Sequence, residues 1–221
     1  MANMLFNFPK SAFFGRTIPK SKFYEHGSVT SKQKDLFIKQ VDEIIWEYKL
    51  APETVNLSST SGVPELQIFK IILKGEEISE EVLRCIDQAV MFPIVFEVFS
   101  YSKVKMIAAF KRRNEANSNQ WVLNEYGKTD WLDINSERAE LHYSLNLGSI
   151  YEQILKSLTQ LKARPTESLH EYFERDDLVK KKMSELKKIE NKLKTEKQFN
   201  KKVELNTRLR NVKSDVEQLT A

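Results

Sequence analysis

The chain has 221 residues, 41% apolar and 30% charged, with 13 Phe, 7 Tyr and 3 Trp, a composition that fills one core of ordinary size plus an appendage and excludes a disordered chain. One cysteine, Cys85, excludes an intramolecular disulfide and argues against a structural zinc site. The formal charge of +4 is unevenly held: from Arg175 to Lys213 there are 14 Lys and Arg against 6 Asp and Glu, so this segment carries +8 and the remainder −4.

The start, "MANMLFNFPK", has no charged region ahead of an unbroken apolar stretch, and the most apolar window, "VMFPIVFEVF", is short and carries Pro93 and Glu97. Neither a signal peptide nor a membrane span is expected, and the reading is a cytoplasmic protein. Residues 8–26, "FPKSAFFGRTIPKSKFYEH", set Lys10, Arg16, Lys20 and Lys22 among Phe8, Phe13, Phe14, Phe23 and Tyr24. Pro9 and Pro19 forbid a helix across the stretch and Gly15 permits a turn, which predicts an extended, two-armed segment whose four Phe anchor it to the core. The same mixture of cations and rings suits a nucleic-acid strand, so the four cations, with Lys111, Arg112 and Arg113, are candidates for nucleic-acid contact.

"SKQKDLFIKQVDEIIWEYKL" (31–50) places Leu36, Phe37, Val41, Ile44, Ile45 and Tyr48 at three- and four-residue steps, with Ser31 as N-cap and Pro52 beyond its end, which predicts one amphipathic helix. "ETVNLSS" reads as a short strand and "PELQIFKIILK" (64–74), rich in β-branched residues, as a strand covered on both faces. "SEEVLRCIDQAV" predicts a helix capped by Ser79, with Cys85 a small buried hydrophobe on it. "FPIVFEVFS" and "KVKMIAAFKRR" predict a hairpin around "YSK", "QWVLNEYGKTDWLD" a further strand and turn, and "SIYEQILKSLTQL" a helix opened by Ser149 and Glu152 and ended by Pro165.

The order predicts an α+β fold: a mixed β-sheet domain with flanking helices over 1–165, followed over 166–221 by a basic long C-terminal helix or helical hairpin of coiled-coil type. Two apolar seams run there, Val179, Met183, Leu186, Ile189, Leu193 and Leu205, Leu209, Val212, Val216, Leu219, in registers that do not join. A stutter in one helix or a turn between two each accounts for the mismatch, and the lack of Gly or Pro favours the stutter. The second seam is the candidate partner-binding surface. Its outer cations, including Lys201, Lys202 and Arg208, are candidates for phosphate contact, although a coiled coil also solvates its outer face with Lys.

Four residues form the candidate catalytic group: Glu65, Gln67, Glu97 and Lys111. If "YSK" is a three-residue link, Glu97, Lys105 and Lys111 share one face with Val95, Phe99, Ile107 and Ala109. A carboxylate beside a lysine makes a structural ion pair, or half of a site in which Mg²⁺ and a lysine serve phosphodiester cleavage. Comparison with restriction-type nucleases of the PD-(D/E)xK kind finds no acidic residue on the preceding strand apart from Glu53 at its edge. His26, His142 and His170 lack metal-ligand spacing, no metal ligands are assigned, and no cofactor is expected unless the nuclease reading, with Mg²⁺, holds.

"VDEIIWEYKLAPETVNL", "VPELQIFKIILK", "FPIVFEVF", "KMIAAFKR" and above all "EKQFNKKVELNTRLRNVK" resemble the prokaryotic family DUF4391 across nearly the whole chain. The resemblance implies no catalytic residues. It implies a neighbourhood of helicase and DNA methyltransferase genes in restriction-type islands, hence an accessory subunit of a restriction or phage-defence system with helicase or methyltransferase partners and DNA as a possible ligand. A degenerate nuclease and a self-assembling coiled coil, a homo-oligomer through the C-terminal helix, are the alternatives.

Overall fold

The computed structural model describes residues 4–26, 29–114, 121–142 and 144–221. The His26 side chain lies outside the described residues. The chain divides into two compact units, Met1–Gln160 and Leu161–Ala221; the first is α+β, the second helical.

In the first unit β1 (Leu5–Asn7) is followed by a 3₁₀ turn at Lys10–Ala12, β2 (Phe13–Thr17), α1 (Lys20–His26), α2 (Ser31–Gln40) and β3 (Val41–Leu50). The extended reading of 8–26 thus holds only in part: Pro19 precedes a helix, as a residue with a fixed φ can, and α1 carries Phe23 into the core. Phe8 is buried too, but Phe13 and Phe14 are exposed on β2 at the sheet edge and are not core anchors. Thr30, not Ser31, caps α2, in a reciprocal capping box with Gln33.

The single helix expected over 31–50 is half strand. The chain passes from helix to extended backbone at Val41, and β3 carries two register shifts, between Val41 and Glu43 and between Trp46 and Tyr48. Each bulge adds a residue to the strand, so buried side chains such as Val41 and Ile44 fall three apart and imitate a helical repeat. The expected strand "ETVNLSS" is instead the short helical turn α3 (Pro52–Val55), which Asn56 ends with φ of 54°.

β4 (Leu66–Leu73), α4 (Glu80–Ala89) capped by Ser79, β5 (Ile94–Ser100) and β6 (Lys103–Ala108) follow as expected. The expected strand through Arg113 breaks at Ala109, and Lys111–Arg113 (β7) pairs with Trp121–Leu123 (β8) in a separate ribbon. Gly127–Lys128 (β9), Leu132–Asp133 (β10), Arg138–Glu140 (β11) and α5 (Leu147–Ser157) complete the unit. α5 begins ahead of the predicted cap, with Asn146 accepting from the Ser149 amide.

The main sheet runs β10-β6-β5-β4-β3-β2, with β9 also on β6. β4 and β5 are parallel, joined through α4, and the other pairs are antiparallel. Phe69, Ile71, Phe96, Val98 and Ile107 look toward Phe23, Phe37, Val82, Leu83, Cys85 and Ile86 of the three helices, forming the main core. Burial pushes the Cys85 thiol up, as suits an inert core residue. By alternation Lys70, Glu97 and Phe99 project from the other face. A small parallel ribbon, β1 with β11, provides Phe6, Asn7, Arg138 and Glu140 to that side.

The second unit resolves the register mismatch as a hairpin: α6 (Leu169–Thr195) ends at Glu196 and α7 (Phe199–Thr220) runs back along it. Lys182 meets Asp215 and Glu185 meets Arg208 across the pair. The Glu196 carboxylate accepts from the Lys197 and Gln198 amides, supplying the turn without Gly or Pro. On α7, Val212 is buried and Leu205, Leu209, Val216 and Leu219 are half-buried, while nearly every other position is exposed. The expected partner seam is therefore the covered side of this helix, packed in the hairpin. Among the described residues no helix is long and apolar enough to cross a membrane.

Candidate functional site

Lys70 sits on the third residue of the sheet's apolar row Leu66, Ile68, and a lysine there needs an explanation. On β5 its register partner is Glu97, and on β3 the bulge between Trp46 and Tyr48 places Glu47 with its carboxylate 3.6 Å from the Lys70 ammonium. On a regular strand Glu47 and Tyr48 would point to opposite faces; with the bulge, both line one pocket of about 750 Å³. Phe6, Phe8, Lys10, Phe99, Arg138 and Glu140 line it too.

Arg138 anchors the far wall. Its Nη1 donates to Glu97 Oε1 at 2.6 Å and to the Phe6 carbonyl at 2.9 Å, and its Nη2 donates to Glu97 Oε2 at 3.2 Å. Burial pushes the Glu97 carboxyl up against the pull of that guanidinium. The Tyr48 hydroxyl is raised as well, by burial and by the neighbouring Glu47 and Glu97 carboxylates. Asn7 Nδ2 donates to Glu140 Oε1 at 2.8 Å, and Lys70 lies over the Phe99 ring at 4.7 Å. Phe8 leans on Tyr48 with centroids 5.3 Å apart.

The four residues expected to form a catalytic group do not meet. Glu97 pairs with Met106 on β6, because the hairpin link is the two-residue Tyr101-Ser102 turn and odd positions face even ones. Lys105 pairs with Val98 and so lies on the opposite face from Glu97. Gln67 projects toward the helices, three positions before Lys70, and donates to Glu65, which also pairs with Lys49 at 3.4 Å.

Lys111 is structural. Fully buried, it spends its three protons on the carbonyls of Asp87 at 2.5 Å, Val90 at 2.6 Å and Phe92 at 3.1 Å, closing the C-terminal end of α4, with the Asp87 carboxylate 3.8 Å away. Burial lowers its pKa to about 8 and raises that of Asp87 to about 6. Neither catalysis nor phosphate contact is open to it.

The other candidates divide. Lys20 donates to the Val41 carbonyl at 2.6 Å and joins α1 to β3, and Arg208 is held by Glu185. Lys22 pairs with Glu25, Arg16 leans on Phe14, Arg112 is half-buried, and Arg113 lies over Trp121. Lys201 and Lys202 are exposed on α7, and Lys10 enters the pocket. Sequence reasoning missed Glu47, Lys70 as a site residue, Tyr48 and Arg138. One signal was present: Glu97 inside an apolar strand requires a cation, but the residue spelling does not say which one. Among the described residues no group of three or more His, Cys, Asp or Glu is placed to hold a metal ion.

Comparison with known proteins returns a family model described as a domain of unknown function, DUF4391, matching residues 6–216. No curated protein and no solved structure matches the chain.

Proposed function

We propose, for a chain that belongs to the DUF4391 family, the role of an accessory subunit of a DNA restriction or phage-defence system that binds DNA and associates with helicase or methyltransferase subunits. The supporting observation is the unbalanced charge of the hairpin. From Lys180 to Lys213 there are 13 Lys and Arg against 4 acids, so pairing at three- or four-residue spacing cannot neutralise them, and Glu185 is already held by Arg208. Lys187, Lys188, Lys194, Lys201, Lys202 and Lys213 are all exposed. Such a surface neutralises backbone phosphates without reading sequence.

Isolation of the native protein with its neighbours tests the role: a helicase or methyltransferase subunit is expected to copurify, and a chain recovered alone, with no affinity for duplex DNA, contradicts it. One observation favours a second reading, a divalent-metal-dependent nuclease: Glu47, Lys70 and Glu97 stand on adjacent strands. A Mg²⁺ cleavage assay of the wild type against Lys70→Ala decides it, since cleavage lost in the variant is its signature.

A further inference from the structure

We propose that the pocket on the β3–β4–β5 face binds a nucleoside monophosphate, either free or as the phosphorylated end of a strand. At about 750 Å³ it has the size of a small-molecule site, roughly 300–1,000 Å³. Its hydrogen-bonding capacity is unequal. Both Glu97 oxygens accept from Arg138, and Glu140 accepts from Asn7, so two of the three acids already have donors. The donors are not all committed: Lys70 is ion-paired with Glu47 at 3.6 Å, a contact too long for a good hydrogen bond, and an ammonium carries three protons. No hydrogen bond or ion pair joins the Lys10 ammonium or the Tyr48 hydroxyl to another described residue.

A ligand matching open donors on this wall is an anion, and two ammonium groups with a hydroxyl suit a phosphate. The apolar side of the pocket is aromatic, with Phe8, Tyr48 and Phe99, and a nucleobase has the flat face such rings accept. The β3 bulge is what aims Tyr48 into the pocket beside Glu47. Nucleotide binding here stands independently of DNA binding by the helices and of any cleavage.

The test is calorimetric titration of the full chain in EDTA with deoxyadenosine monophosphate, deoxyadenosine, and a six-nucleotide DNA strand with or without a 5′ phosphate. The monophosphate is expected to bind one to one and deoxyadenosine about tenfold more weakly or worse. The Lys10→Ala/Lys70→Ala double variant is expected to lose about tenfold or more of the monophosphate affinity. A phosphorylated strand that binds more tightly than the mononucleotide identifies a strand end, and the reverse order a free nucleotide. The proposal is overturned if neither phosphorylated probe binds. It is also overturned if affinity is unchanged in Lys10→Ala, an exposed position that cannot unfold the chain, and in the double variant.

Discussion

Arg138 joins the β1–β11 ribbon to the main sheet by gripping both oxygens of Glu97, at 2.6 and 3.2 Å, while also holding the Phe6 carbonyl. Glu97 is almost wholly buried, so the pair is worth less than its attraction suggests, but breaking it from one side is costly because a charge is left without water or partner. Arg138→Met is expected to lower stability by about 3 kcal/mol in urea unfolding, and the double variant Arg138→Met/Glu97→Leu by less. A single variant no worse than the double one would show that Glu97 does not need its partner.

Lys111 gives a second test, of the reassignment from nucleic-acid candidate to helix cap. Lys111→Met leaves three carbonyls at the end of α4 without their donor and is expected to cost about 3–5 kcal/mol. Arg113→Ala, exposed a strand-step away, is expected to cost under about 0.5 kcal/mol. Equal melting temperatures for the two variants would contradict the cap.

Asp87 makes the stability of the first unit fall with rising pH across a defined window. Its pKa in the folded chain is about 6 against an ordinary 3.8, so between those values the folded form keeps a proton that the unfolded chain has released. Raising pH from about 4 to about 6 therefore removes on the order of 3 kcal/mol, and Asp87→Asn makes the slope shallower, leaving the part that the raised Glu97 carboxyl contributes. All three Trp lie within residues 1–160, which makes Trp fluorescence the appropriate probe of this unit. A wild-type curve that rises through that window would refute the assignment.

Glu167 imposes the opposite sign on the second unit. Arg175 donates to both its oxygens, at 2.6 Å each, and the carboxyl is held down to about 2. Its contribution is complete above the ordinary 4.5 and is lost as pH falls toward 2. Arg175 also donates to the Leu219 and Lys162 carbonyls, so it ties the end of α7 to the chain before α6. By helical circular dichroism, Glu167→Gln is expected to cost about 2 kcal/mol of stability at neutral pH and much less at pH 2, where about half of the wild-type carboxyls are protonated, whereas a loss of equal size at both would point to packing alone.

Much of the fold was legible because local signals agreed: the β-branched run of β4, the Ser79 cap of α4, and the apolar strands β5 and β6 point the same way. The site was not, and the reason lies in β3. Its two bulges erased the alternation that marks a strand, so Tyr48 reads as part of the apolar face of a helix and Glu47 carries no signal of its own. Arg138 sits in a three-residue strand whose partner, β1, is some 130 positions away, a pairing that no local pattern encodes. The helical turn at Glu196 was hidden for a similar reason, because a carboxylate does there what Gly or Pro does elsewhere.

The most direct measurement of the central claim is duplex-DNA affinity by fluorescence anisotropy as a function of salt, for the full chain and for Lys187→Glu/Lys201→Glu/Lys202→Glu. The lysines substituted are exposed, so the fold is retained. Affinity of the wild type is expected to fall with a logarithmic slope of about −0.9 per phosphate neutralised, and the triple variant to bind more weakly with a shallower slope. Affinity that is flat in salt, or identical in the two proteins, would contradict DNA binding by the hairpin.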